Sequence, residues 1–411
     1  MQSIFFIAFL MLNQAYLQQS YTKNEVLTKN IELLKIDSCT LFNSEFNSEY
    51  SSFFVEVDHE FITLFDYSSC YLYKYDLDGK FLAKIFIHKF SDNSPLLVES
   101  FQTSNNFLFF LKTIRLYYYD YKGYKNSGKL NVNVDDGLIN KKWGANPQFF
   151  ADLENKIFIL PISVIPEDLI GNEQRWVMTD YYKSPGLFAI YDISGLLNSE
   201  VKAISDTSSI SIQRVIGLRD HIYWETEFLP HMDNLNWSYD SKSMSIYYAE
   251  SATYLINQCA ISGNMIRSFG MPGGWLESND SIVTLNNLKE TRPEISIQLN
   301  EAKLNSLMYE NVYCDNETLY RLYSNPSKDT TKGIIDQRER LNAQDELINN
   351  RKRYLQVYNI KNDFNLVQDI PLPPKFKIIT IINGVIYANP FFDTSKKEFK
   401  IYKYIFSSKS K

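Results

Sequence analysis

The sequence predicts an all-β protein, a six-bladed β-propeller of four-stranded antiparallel blades with an N-terminal strand closing the last blade. Three observations predict it. Aromatic residues are abundant, with 29 Tyr and 28 Phe among 411 residues, and aromatic side chains favour a pleated, half-buried surface. A hairpin signature recurs along the chain, each time an aromatic-rich run that enters a tight polar turn and leaves again. Its spacing of roughly 40 to 70 residues suits blades, and the 3.6-residue period of helical repeats is missing.

The first hairpin is the clearest. Tyr71-Leu72-Tyr73-Lys74-Tyr75-Asp76-Leu77 leads through Asp78-Gly79 into Lys80-Phe81-Leu82-Ala83-Lys84-Ile85, and an Asp-Gly pair between such runs is the signature of a type I′ turn. Leu116-Tyr117-Tyr118-Tyr119-Asp120 turns at Lys122-Gly123, and Leu187-Phe188-Ala189-Ile190-Tyr191-Asp192-Ile193 turns at Ser194-Gly195. Residues 254–261 turn at Ser262-Gly263-Asn264, and residues 354–360 turn at Lys361-Asn362. Upstream of most of these lies a further strand pair, of the kind seen at residues 61–65, 107–111, 157–160, 221–224 and 319–322. Four strands per unit follow.

The sixth unit is C-terminal. Ile378-Ile379-Thr380-Ile381-Ile382 turns at Asn383-Gly384 into Val385-Ile386-Tyr387-Ala388, and residues 399–406 end the chain as a third strand. Residues 25–34 are expected to supply the missing strand and so remove an exposed sheet edge. Two stretches do not repeat and read as loops, where function is often carried. Residues 324–353 are rich in both charges, with helix formers between Asp336 and Arg351, and read as a solvated helical excursion. Residues 129–147 form the other.

Hydrophobic residues make up 45% and charged residues 22% of the chain, enough apolar content to build a core. The formal net charge is -6, and no basic stripe is present that would neutralise several phosphates, which argues against a nucleic-acid partner. The apolar run from Ile4 to Leu12 is too short to span a membrane and is followed by polar Asn13-Gln14 and small Ala15. Residues 1–16 therefore read as a signal peptide, with residues 17–411 as one domain that is secreted or periplasmic. No later stretch has the length of a transmembrane helix. Cys39, Cys70, Cys259 and Cys314 match neither a zinc nor a redox spacing, and no cysteine follows the leader to take a lipid anchor.

The richest local group for chemistry is His221, Trp224, Glu225, Glu227, His231, Asp233 and Trp237, with Asp240 nearby. The indoles would stack on a sugar ring or another flat ligand, and the carboxylates would accept its hydroxyl protons or act as acid and base. Alternation along a strand places Glu225 opposite Trp224, however, and a tryptophan in a blade commonly packs between sheets. Asn131, Asn133, Asp135 and Asp136 before Gly137 supply oxygen donors without the Glu an EF-hand loop needs, so an Asx turn is the simpler reading. Asp58-His59-Glu60 sits at a turn with no nucleophile nearby. The GxSxG, Walker and GxGxxG motifs are absent, and no metal or other cofactor is expected.

Three phrases give the chain its resemblance to a known family. They are residues 179–187, Thr-Asp-Tyr-Tyr-Lys-Ser-Pro-Gly-Leu; residues 262–270, Ser-Gly-Asn-Met-Ile-Arg-Ser-Phe-Gly; and Asn383-Gly384-Val385-Ile386-Tyr387. With these the chain resembles a family of exported bacterial six-bladed β-propellers of unknown function, many of them lipoproteins. The resemblance implies architecture and export and transfers no catalytic residue. The expected function is a noncatalytic binding or interaction protein that takes an unknown protein or glycan ligand on one loop face of the ring. A monomer is compatible with everything read so far. The alternative is a hydrolase or lyase acting on carbohydrate or a small ester through carboxylates at the channel mouth.

Overall fold

The computed structural model describes residues 31–42, 53–66, 69, 71–86, 100–104, 107–112, 115–120, 129–132, 149–161, 187–194, 207–210, 212–217, 235–250, 253–273, 292–393 and 395–408. The described chain begins with β1 (Ile31–Phe42) and continues through the antiparallel sheet β2 (Phe53–Val57), β3 (Phe61–Asp66), β4 (Tyr71–Asp76) and β5 (Phe81–Phe86). Next come β6 (Ser100–Ser104), β7 (Phe107–Lys112), β8 (Arg115–Asp120) and β9 (Lys129–Val132). A third group holds β10 (Phe150–Asp152), β11 (Ile157–Pro161), β12 (Phe188–Asp192), β13 (Thr207–Ile210) and β14 (Ile212–Ile216). The fourth sheet is β15 (Leu235–Asp240), β16 (Ser245–Glu250), β17 (Ile256–Ala260) and β18 (Met265–Phe269).

Helix α1 (Arg292–Asn305) precedes β19 (Met308–Asp315) and β20 (Thr318–Ser324). Helix α2 (Gln337–Asn349) then interrupts that sheet before β21 (Arg353–Asn359) and β22 (Asn365–Pro371). The chain ends in β23 (Ile378–Ile382), β24 (Val385–Asp393) and β25 (Glu398–Ser408), and β1 pairs antiparallel with β25 from Ile31↔Ser408 to Phe42↔Glu398.

Burial shows that the sheets stand radially, as in a propeller. Second strands are covered on both faces: β3 is buried from Ile62 to Asp66, and β11 along its whole length. Fourth strands face solvent, with four of the five residues of β18 exposed. Apolar side chains fill the spaces between consecutive sheets. Phe188 and Ile190 meet Trp237, Ile246 and Tyr248 in one cluster. Tyr247 and Ile256 meet Val312 and Tyr358 in the next. Leu355 and Val357 meet Ile381 and Ile386 in a third, and Tyr387 and Ile401 meet Ile62 and Tyr75 in a fourth.

One sequence expectation is corrected. Six blades of four antiparallel strands were expected, and among the described residues five such sheets are present. The remaining sheet has five strands in the order β13-β9-β8-β7-β6, because β13 leaves its neighbours in sequence and pairs parallel to β9, Thr207 opposite Lys129. The unpaired edge of β9 offers backbone donors and acceptors that a passing strand can satisfy. Of the strand expected at residues 25–34, residues 31–34 lie in β1, which runs on to Phe42 so that Cys39 and Leu41 enter the core beside Ile401, and residues 25–30 lie outside the described residues.

Turn chemistry is also more varied than dipeptides suggest. At Asp78-Gly79 only Gly79 has positive φ, so the turn is not type I′. The Asp76 carboxylate accepts from Asp78 N at 3.1 Å and Lys80 N at 2.8 Å, and the register slips between Lys74 and Tyr75. That is the bulged solution for a hairpin. A Cβ on Gly79 would stand 2.6 Å from the Cys39 Sγ, so the turn needs glycine both for its backbone angle and for the close approach of β1. Asn383-Gly384, by contrast, has both φ angles positive, as a type I′ turn requires.

Cys39, Cys259 and Cys314 are free thiols; Cys70 lies outside the described residues. Burial pushes the Cys39 thiol up from 9.0 to about 11, partly offset by Lys403. A raised folded value means that the thiol's contribution to stability is complete below pH 9 and is lost as pH rises through 11. Tyr73, pushed up to about 12 by burial and then by Asp66, acts in the same direction at higher pH. Unfolding free energy measured in urea is therefore expected to fall between about pH 8 and pH 10.5, with Cys39 accounting for roughly 2 kcal/mol of the loss. Cys39→Ala should flatten the profile by that amount, and identical slopes for the two proteins would refute the assignment.

Candidate functional site

The first strand of every sheet faces the axis. Val55 and Glu56 on β2, Gln102 on β6, Phe150 on β10, Ser238 on β15, Asn311 and Tyr313 on β19, and Thr380 on β23 line one channel cavity of roughly 630 Å³. Contributions from all the inner strands mark it as the central channel of the propeller.

At the end where inner strands finish, polar contacts tie consecutive sheets together from β6 round to β23. Gln102 Nε2 donates to Ala151 O at 3.2 Å, and Ala151 N donates to Gln102 Oε1 at 2.7 Å. Tyr239 OH donates to Asp152 Oδ2 at 2.9 Å, and Cys314 N donates to Ser238 Oγ at 3.0 Å. Lys242 Nζ reaches Asn316 Oδ1 at 2.8 Å. The Asp315 carboxylate then accepts from Asn383 N at 2.9 Å and Gly384 N at 2.7 Å.

Four carboxylates at this end are structural acceptors. Asp58 accepts from Glu60 N and Phe61 N at 2.7 and 2.6 Å, so Asp58-His59-Glu60 is an Asx turn with His59 exposed. Asp240 accepts from Lys242 N at 3.1 Å and Ser243 Oγ at 2.6 Å. Asp152 and Asp315 hold neighbouring sheets. An acid–base pair needs carboxyl groups directed at a bound substrate, whereas these four are turned onto their own turns and adjoining strands.

The opposite end is built differently. The inner strands begin there, and α1 and α2 pack against each other beside them. Asp336 caps α2 by accepting from Glu339 N at 2.8 Å, the role short acceptors take at helix N-termini. Asn300 Nδ2 donates to Asp345 Oδ1 at 3.1 Å, Gln344 Nε2 reaches Ile297 O at 3.5 Å, and Arg340 pairs with Glu301. Arg351, only 4% exposed, closes the unit. It donates from Nη1 to Lys303 O at 2.8 Å, from Nε to Asn325 O at 2.7 Å, from Nη2 to Ser324 O at 3.2 Å and also to Ser306 O.

Between α2, the start of β19 and the segment before β23 lies a second cavity of roughly 720 Å³. Asn342, Asp345, Glu346 and Asn349 face it from α2, Lys375 and Lys377 from the other wall, and Glu310 and Arg353 from the floor. Arg353 Nε lies 3.2 Å from Glu310 Oε1 and Arg353 Nη1 donates to Phe376 O at 3.4 Å. Asn311 and Tyr313 border both cavities, which joins the helix-flanked mouth to the channel.

Of the residues singled out in the sequence, Trp237 is described and lines the channel cavity. Its indole is 8% exposed and lies 5.3 Å from the Phe188 ring, centroid to centroid, within the core between two sheets. His221, Trp224, Glu225, Glu227, His231 and Asp233 lie outside the described residues, as do Asn133, Asp135, Asp136 and Gly137. Among the described residues no group of three metal-ligating side chains converges, and no helix is long and apolar enough to cross a membrane. The mouth residues Asn311, Tyr313, Asn342, Asn349 and Lys377 carried no sequence signal of their own. The departure of residues 324–353 from the repeat was the one available pointer.

The chain is similar in fold to a member of the DUF4221 family from Bacteroides vulgatus, with a TM-score of 0.60, 13% identity, and 92% of this chain and 99% of that one covered. It is also similar to a Bacteroides fragilis protein provisionally described as exported, with a TM-score of 0.50, 11% identity, and 91% and 95% covered. At such identities the likeness shows the propeller fold. No family profile and no curated protein sequence matches the chain.

Proposed function

We propose that this is an exported, noncatalytic binding protein whose ligand occupies the helix-flanked mouth of the channel. The observation that carries the reading is the placement of α2: the segment that breaks the four-strand repeat forms a wall of a polar cavity contiguous with the channel. Loops and insertions on a rigid scaffold commonly supply recognition. The commitment of Asp58, Asp152, Asp240 and Asp315 to turn and inter-sheet hydrogen bonds favours binding over acid–base catalysis. Export rests on the leader-like residues 1–16, and the provisional description of the B. fragilis neighbour is consistent with it. Within this reading β1, paired along β25, is the latch that holds the two ends of a single domain together.

The test is a thermal-shift screen of glycans, peptides and divalent ions, followed by hydrogen exchange on any hit. A ligand at a hundred times its Kd adds about 2.7 kcal/mol of stability, so the midpoint should rise by a few degrees. Slowed exchange is expected in α2 and residues 373–378. Protection confined to the outer edge strands, no stabilising ligand of any class, or turnover of the ligand would overturn the proposal.

A further inference from the structure

Helix geometry places Asn342, Asp345, Glu346 and Asn349 on one side of α2, at positions i, i+3, i+4 and i+7. All four are exposed, as are Lys375 and Lys377 across the cavity. The apolar members of the lining are the reverse: Leu322, Phe376 and Ile378 are 4%, 1% and 7% exposed, so they present little area to a bound molecule. The exposed part of the lining is mostly polar, so an apolar ligand would bury less area here than one that hydrogen-bonds.

Charge narrows the class further. Carboxylates Glu310, Asp345 and Glu346 balance cations Arg353, Lys375 and Lys377, and Glu310 and Arg353 are already paired with each other. No net field selects an anion or a cation. What remains in excess is amide: Asn311, Asn342, Asn349 and Asn350 each bring a donor NH₂ and an acceptor carbonyl. Asn311 Nδ2 donates to Tyr313 OH at 3.0 Å and so holds that half-buried ring at the junction with the channel. Paired donors and acceptors beside an aromatic ring suit vicinal hydroxyls and the CH face of a pyranose.

We infer that the mouth cavity binds a neutral oligosaccharide, an inference that rests on the binding role proposed above. The α2 amides take its hydroxyls, and Tyr313 carries a sugar face toward the channel.

The experiment is titration calorimetry with cellopentaose, mannopentaose, xylopentaose and chitopentaose. Oligogalacturonate and a neutral Gly-Ser peptide serve as comparison probes. At least one neutral sugar is expected to bind, with affinity unchanged within about twofold between low and high salt because no charge is engaged. The Asn342→Ala/Asn349→Ala double variant, altered only at exposed helix positions, should fold with an unchanged melting midpoint and bind about tenfold more weakly, equivalent to roughly 1.4 kcal/mol. Unaltered binding by the double variant overturns the inference, as does binding of oligogalacturonate or the peptide alone. If either comparison probe binds and protects α2 from exchange, the binding role survives while the saccharide assignment fails. If no probe binds, the saccharide assignment falls, and the binding role stands or falls on the thermal-shift screen.

Discussion

Replacing Arg351 by alanine is expected to destabilise the protein by roughly 2–4 kcal/mol, since hydrogen bonds to a charged group contribute about 1.5–3 kcal/mol and a buried acceptor left unpaired costs about 1–3 kcal/mol. The guanidinium touches four backbone carbonyls, of which Lys303 O lies in the last turn of α1 and Ser306 O just beyond its end, where carbonyls lack a full set of intrahelical partners. The other two, Ser324 O and Asn325 O, belong to the start of the excursion that contains α2. One side chain therefore fastens both helices to the end of β20. Burial pulls its basicity down to about 10, which still leaves it charged at neutral pH. Lysine should recover little, because a single ammonium cannot reproduce the planar fork. Urea midpoints and amide exchange in α1 and α2 measure the effect. A loss below about 1 kcal/mol would mean that the helices are held by other contacts.

Asp315→Ala is expected to cost roughly 1–3 kcal/mol, since it removes a carboxylate that takes two amides of a part-exposed turn and a hydrogen bond to a charged group contributes about 1.5–3 kcal/mol. Asp315 is 8% exposed, so water cannot fully replace the carboxylate. Its two oxygens serve Asn383 N and Gly384 N separately, and those amides belong to the neighbouring sheet. Asp315→Asn keeps one acceptor and turns an NH₂ toward the other amide, so an intermediate loss is expected. Equal stability of Asp315→Ala and the parent in a two-state urea titration would show that the turn holds without this bond.

The helix-flanked mouth lay largely beyond sequence reading. The helix formers after Asp336 marked α2, but a solvated excursion was the natural inference, because Asn342, Asp345, Glu346 and Asn349 look like any exposed helix face. Only the position of β19 and of residues 373–378 turns that face into a cavity wall. Helix α1 was not anticipated: its buried Ile295 and Ile297 are two residues apart, a strand-like spacing, because the helix is wedged between α2 and the sheet end instead of lying on one flat face. Trp237 was legible as aromatic, and its neighbours decided that its ring would meet Phe188.

Local chemistry in the chain was enough to determine strands, most hairpins and the repeat. Alternating aromatics, Asx acceptors and Gly or Asn at positive φ act over a few residues, and their signatures are contiguous. The five-stranded sheet and the cavity at the mouth were decided by tertiary structure alone. Each depends on groups far apart in sequence, such as Lys129 with Thr207 or Asn311 with Asn342, whose meeting is governed by how whole sheets pack around the axis.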